Sequence, residues 1–157
     1  PLYREAIRID EADFIAGTTY DVLAINSFAE VEPLILTDDY RRLETAAKVR
    51  IIHASTLADD LSPTGVDVYV TAPGVTDLST VEPTIDNLIF GANTMFLQLA
   101  PGDYEVTVTT DGSTDAAIPT TPISIEANGI YTAIARDPRP DVANDGLGLI
   151  LLDDFNP

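Results

Sequence analysis

The sequence predicts an all-β fold, an immunoglobulin-like antiparallel β-sandwich preceded by extra N-terminal strands from a partial tandem repeat. Three observations carry that expectation. Short runs rich in β-branched residues alternate apolar and polar side chains, the period of a half-buried strand. Gly, Pro, Asn and Asp punctuate the gaps between them, and most of the 11 prolines fall there. One order of motifs also occurs twice. Ile7-Arg8-Ile9-Asp10, Ala16-Gly17-Thr18-Thr19-Tyr20 and Leu34-Ile35-Leu36-Thr37-Asp38-Asp39-Tyr40 come first. Ile123-Ser124-Ile125-Glu126, Ala127-Asn128-Gly129-Ile130-Tyr131 and Leu149-Ile150-Leu151-Leu152-Asp153-Asp154-Phe155 follow in the same order. Recurrence of several blocks with similar separations marks a repeated module.

The repeat divides the 157 residues into 1–44, the C-terminal part of a first copy, and 45–157, a complete second copy. In the first copy Ile7, Ile9, Val22, Leu23, Ile25, Leu34, Ile35 and Leu36 are too apolar a set to leave in water. Residues 1–40 are therefore expected to be ordered by strand pairing, either onto the complete module of the same chain or with another chain, a protein partner or a second copy in self-association. Residues 38–47 carry the best helical pattern, one or two turns between the copies.

Within the second copy the strands follow in order. Residues 48–54 are dense in β-branched side chains, and Val66-Asp67-Val68-Tyr69-Val70 alternates until Pro73-Gly74. Residues 85–90 and 94–99 are joined through Gly91-Ala92-Asn93, read as a tight connection. Pro101-Gly102-Asp103 opens a strand that places Tyr104, Val106 and Val108 on a buried face and Glu105, Thr107 and Thr109 on a wet one. Strands at 123–125, 130–136 and 147–152 complete the set, with Asn128-Gly129 as a hairpin turn.

Composition excludes some function classes. Twenty-six acidic against eight basic residues give a formal net charge of −18, which repels nucleic acid and anionic headgroups. The apolar runs are too short and too often broken for a membrane-spanning helix, so no direct insertion by this segment is expected. Without cysteine there is no thiolate chemistry. Half of the basic residues, Arg41, Arg42, Lys48 and Arg50, lie where the copies meet, where pairing with carboxylates is expected.

Candidate chemistry is sparse. His53 is the single histidine, and its expected role is to end a strand and hydrogen-bond the Ser55–Asp60 loop rather than to serve a triad. The pairs Asp38-Asp39, Asp59-Asp60 and Asp153-Asp154 place neighbours on opposite strand faces, a poor arrangement for joint acid–base work. The weak metal candidates are Asp137, Asp141, Asn144 and Asp145, a loop offering several oxygens to a calcium ion but lacking the spacing of a calcium-binding loop with its closing Glu. Tyr20, Tyr131 and Tyr104 are placed as corner tyrosines whose hydroxyls bond nearby backbone. No enzyme activity and no resident cofactor are expected.

Ala47-Lys48-Val49-Arg50-Ile51-Ile52-His53-Ala54-Ser55, Val66-Asp67-Val68-Tyr69-Val70, Leu97-Gln98-Leu99-Ala100-Pro101-Gly102-Asp103-Tyr104-Glu105-Val106-Thr107-Val108 and Asn128-Gly129-Ile130-Tyr131-Thr132 together resemble the bacterial and archaeal domain of unknown function 4397 over residues 46 to about 157. The resemblance implies an exported, often tandem β-domain, periplasmic, outer-membrane-associated or at the cell surface, with no assigned reaction. Its members place a compact Pro-Asp-Ala-Pro turn after the first strand. Here residues 56–64 replace it with a longer acidic loop. A structural or protein-interaction unit of the cell envelope is the function this implies, with carbohydrate or calcium binding as the alternative.

Overall fold

A computed structural model of the chain describes residues 14–27 and 29–153. The first repeat block, Ile7 to Asp10, and the end of the last, Asp154-Phe155, lie outside the described residues, as does Tyr3. The chain divides into two compact units, residues 1–41 and 42–157.

In the first unit β1 (Thr19–Ile25) pairs antiparallel with β2 (Glu32–Asp38), Val22 opposite Ile35. Asn26, at φ 74°, turns the chain out of β1. No helix follows β2. The expected turns over 38–47 are absent because Asp38 still belongs to β2 and the Asp39 carboxylate takes the Arg41 N–H (3.1 Å), a local bond that competes with a helix.

The second unit is a β-sandwich. Its strands are β3 (Ala47–His53), β4 (Val66–Thr71), β5 (Ile85–Leu88), β6 (Leu97–Leu99), β7 (Gly102–Thr110), β8 (Ala116–Ile125), β9 (Ile130–Arg136) and β10 (Gly148–Asp153). They form two sheets, ordered β10-β9-β3-β6 and β5-β4-β7-β8. Val49, Ile51, Tyr131, Ala133 and Ala135 from one sheet meet Val66, Val68, Val106, Val108, Ile118 and Ile123 from the other in a single core. Burial of each of these valines and isoleucines is worth roughly 1.5–3 kcal/mol.

Four expectations need correction. The sandwich is not wholly antiparallel: β3 and β9, distant in sequence, run parallel from Lys48↔Ile130 to His53↔Ala135. Asn128-Gly129 makes no hairpin, because β8 and β9 belong to different sheets; Asn128 at φ 65° turns the chain across the core edge instead. Gly91-Ala92-Asn93 likewise joins strands of different sheets, and its backbone bonds the end of β3 through Gly91 N–H to His53 O (2.9 Å) and His53 N–H to Ala92 O (3.1 Å). The face of β7 expected to be wet is largely covered: Thr107 and Thr109 are 5% and 0% exposed, because the 72–84 connection folds back with Leu78 buried and Gly74 N–H on the Glu105 carboxylate (3.1 Å).

Two elements were not foreseen. The acidic stretch after Ser55 contains α1 (Thr56–Leu61), capped by Ser55, whose Oγ accepts the Ala58 N–H at 3.0 Å. Strand β8 begins at Ala116, ahead of the expected 123, running through Pro119 and Pro122 at the edge of its sheet, where a proline removes no ladder bond. No helix among the described residues is long and apolar enough to cross a membrane.

The units share one local geometry. Strand β1 and strand β9 differ by 111 in both bounds, 19 + 111 = 130 and 25 + 111 = 136. Tyr20 Oη accepts the Ile15 N–H (3.0 Å), and Tyr131 Oη accepts the Glu126 N–H (3.1 Å), each partner again 111 apart. Thr18 N–H bonds Ile15 O, and Gly129 N–H bonds Glu126 O, both at 3.1 Å.

Candidate functional site

His53 ends β3 and is completely buried. Its Nδ1 accepts the Ser55 N–H (3.4 Å), as expected of a strand-end histidine holding the following segment, and its ring meets Phe90 edge-on at 5.9 Å. Burial pushes the imidazole below its ordinary value of 6.5, against the opposing pull of Asp59 and Asp137. Ser55 does not turn to the imidazole. Its hydroxyl donates to Asp137 Oδ1 (2.5 Å) while accepting from α1, so histidine, serine and carboxylate form no relay.

Asp137, one residue past β9, is a structural clasp. Besides Ser55 it accepts from Thr56 Oγ1 (2.6 Å), Thr56 N–H (3.3 Å) and Leu57 N–H (2.9 Å), joining the end of β9 to the first turn of α1. Burial alone would raise its carboxyl, but these bonds outweigh that and hold it below the ordinary 3.8. Asp145 is committed differently. Arg136 Nη1 (2.7 Å) and Arg139 Nε (3.0 Å) both contact it, and Arg139 N–H adds a bond at 2.8 Å. Hydrogen bonds from Arg136 and then Arg139 hold its carboxyl far below the carboxylate range. Asp141 and Asn144 are exposed, Asn144 at φ 60°. The loop expected to offer oxygens to calcium is thus organised by two guanidinium groups and a helix cap, and its four candidates are not brought together.

Three other carboxylates are. One oxygen from each of Asp67, Asp86 and Asp111 lies within 4.8 Å of the others. Asp67 sits on β4 between core residues Val66 and Val68, on the opposite face, and is 2% exposed. Its two oxygens accept the N–H groups of Asn87 and Gly112, each at 3.0 Å. Gly65 (φ 117°) holds β5 close, since a Cβ there would stand 2.9 Å from the Asn87 carbonyl carbon. Burial, followed by the Asp67 charge, raises the Asp86 carboxyl above its ordinary value. An open recess of about 370 Å³ adjoins them, lined by Asp67, Tyr69, Glu82 and Asp86. If a hard cation is held anywhere among the described residues, this oxygen set matches its chemistry better than the 137–145 loop does. Separations of 19 and 25 residues (67 to 86 to 111) hide the group from motif reading. The one available signal was a carboxylate placed between two core valines.

The remaining candidates are structural. Tyr104 donates to Ala100 O (2.9 Å), and Tyr20 and Tyr131 occupy the corners described above. Arg41 pairs with Asp39 (2.8 Å) at the surface. Lys48 and Arg50 are buried rather than exposed, both over the Phe96 ring at 5.8 and 4.7 Å, and Arg50 donates to Thr132 Oγ1 (3.2 Å).

The β-sandwich and these structurally engaged polar groups define a β-domain of a recognisable kind. Residues 60–157 match the family described as Domain of unknown function (DUF4397), and the chain belongs to that family. The match begins within α1, so β3 and its Lys48–Ser55 motif, part of the resemblance from residue 46, fall outside it. No curated protein matches the chain.

Proposed function

We propose that the chain is a non-enzymatic β-sandwich module, exported to the cell envelope, that acts by associating with another protein through residues 1–40. The observation that carries the non-enzymatic part is the engagement of its reactive groups in structural bonds. The one histidine is 0% exposed with Nδ1 bonded to backbone, and Asp137 and Asp145 are a helix cap and a guanidinium clamp. Envelope location is supported by the family resemblance, and association by the open apolar side chains Phe14, Ile15 and Val22, which are 58%, 69% and 51% exposed. The acidic surface keeps such a module away from nucleic acid.

The test is made in producing cells carrying a photo-crosslinking side chain at position 22. A discrete protein adduct recovered with the envelope fraction is expected. Recovery in the cytosol overturns the location. Turnover of any substrate that is lost in a folded His53→Gln variant overturns the non-enzymatic reading. The second reading, calcium binding, is favoured by the convergence of Asp67, Asp86 and Asp111.

A further inference from the structure

Because β1 is β9 displaced by 111 residues, the faces of the two strands can be compared position by position. In the second unit Tyr131, Ala133 and Ala135 face the core and are 5%, 4% and 3% exposed. Ile125, just before the shared turn, is 3% exposed. The sheet β5-β4-β7-β8, to which Ile125 itself belongs, covers the three β9 residues, with Val66, Val68, Val106 and Val108 in the same core.

The corresponding residues of the first unit are Tyr20, Val22, Ala24 and Phe14. Here the burial is inverted. Phe14 and Val22 are 58% and 51% exposed and Ala24 is exposed, whereas Ile25 and Leu36 on the reverse face are 6% and 5% exposed. Ile35, opposite Val22 in the hairpin, extends the open face. These side chains are at least as large as their buried counterparts, so the face has core chemistry without core burial. Phe14 packs edge-on against Tyr20 at 5.0 Å, as a preformed ridge.

We infer that this hairpin face is one half of a sandwich, and that its occupant is the valine-lined sheet of another module of this family, one that lacks its own closing hairpin. The inference rests on the reading of residues 1–44 as part of a first repeat and names the partner for the association proposed above. A folded second copy of this chain is not the occupant, because its β5-β4-β7-β8 sheet is already covered by β9 and β3. A sheet without that cover presents the matching surface, and the hairpin completes it as a donated structural element.

The test extends the full chain at its start by a duplicate of residues 42–125, which carries β3 to β8, and so the whole β5-β4-β7-β8 sheet, without β9 and β10. Amide exchange across Thr19–Ile25 is expected to slow at least ~100-fold in the extended chain. Val22→Asp is expected to lower the melting temperature of the added module while leaving the unextended chain unchanged. Equal exchange at these amides in both chains, whatever the extension itself does, overturns the inference. So does a dimer of the unextended chain that Val22→Asp disperses, because a second copy is then the occupant. Failure here leaves the non-enzymatic envelope reading standing, which is judged by fractionation and the His53→Gln variant.

Discussion

Replacing Asp137 by alanine removes four hydrogen bonds in one step: those from Ser55 Oγ, Thr56 Oγ1, Thr56 N–H and Leu57 N–H. Ser55 is 0% exposed, so its hydroxyl loses its acceptor where water cannot substitute, although it still accepts from Ala58. A hydrogen bond to a charged group contributes about 1.5–3 kcal/mol, and loss of a helix cap costs about 1 kcal/mol. The Thr56 and Leu57 groups lie nearer the surface and recover part of their loss from solvent. The net cost is about 3 kcal/mol, which for a chain of this size lowers the melting temperature by about 6–12 °C. Asp137→Asn keeps one acceptor but turns an amide donor toward donors, so about half of that cost remains. Urea titration and thermal melts followed by circular dichroism measure both. The folded carboxyl is held below its ordinary 3.8, so its contribution is present above that pH and is lost as pH falls through the folded value. The difference between wild type and Asp137→Ala should therefore shrink toward pH 2. A cost below about 1 kcal/mol at pH 7, or one unchanged at low pH, refutes the clasp.

Other outcomes follow from the same geometry. His53 is held neutral below its ordinary 6.5, so stability is full above that pH and falls below it, by up to about 1.4 kcal/mol per pH unit, until the folded value is reached. His53→Gln should remove that slope from a urea-midpoint profile between pH 7 and 5. Asp86 behaves oppositely: its folded carboxyl is raised, so stability rises as pH falls toward 3.8. Asp86→Asn should accordingly stabilise the chain at pH 7, read as a higher urea midpoint than the wild type. If the acidic recess takes calcium, calcium at 100 times its dissociation constant should add about 2.7 kcal/mol to the wild type, and Asp86→Asn should lose most of that gain. Gly65→Ala should cost at least 1 kcal/mol by forcing a Cβ against the Asn87 backbone at a positive φ, read from the urea midpoint.

How far the fold was legible varied with the range of the interactions that set each element. Strand β7 could be read from Tyr104, Val106 and Val108 because alternation is local, but the cover over Thr107 and Thr109 comes from the 72–84 connection. Helix α1 is six residues long and is held by Asp137, some 80 residues onward, so no local propensity announced it. Strand β8 extends well before the expected 123–125 because Pro119 and Pro122, which argue against a central strand, lie at a sheet edge that only the strand order reveals. The corner tyrosines were legible because each bonds a backbone group only four or five residues away. The Asp67–Asp86–Asp111 group was not, since three separate elements assemble it.

The claim on which most depends is that one tyrosine-cornered hairpin geometry occurs twice in this chain. Amide exchange by nuclear magnetic resonance at Ile15 and Glu126, in the wild type and in Tyr20→Phe and Tyr131→Phe variants, tests it most directly. Both amides should be protected in the wild type, and each should lose protection by roughly tenfold only in the variant lacking its own hydroxyl partner. An Ile15 amide that already exchanges freely, or that does not respond to Tyr20→Phe while Glu126 responds to Tyr131→Phe, would contradict the account.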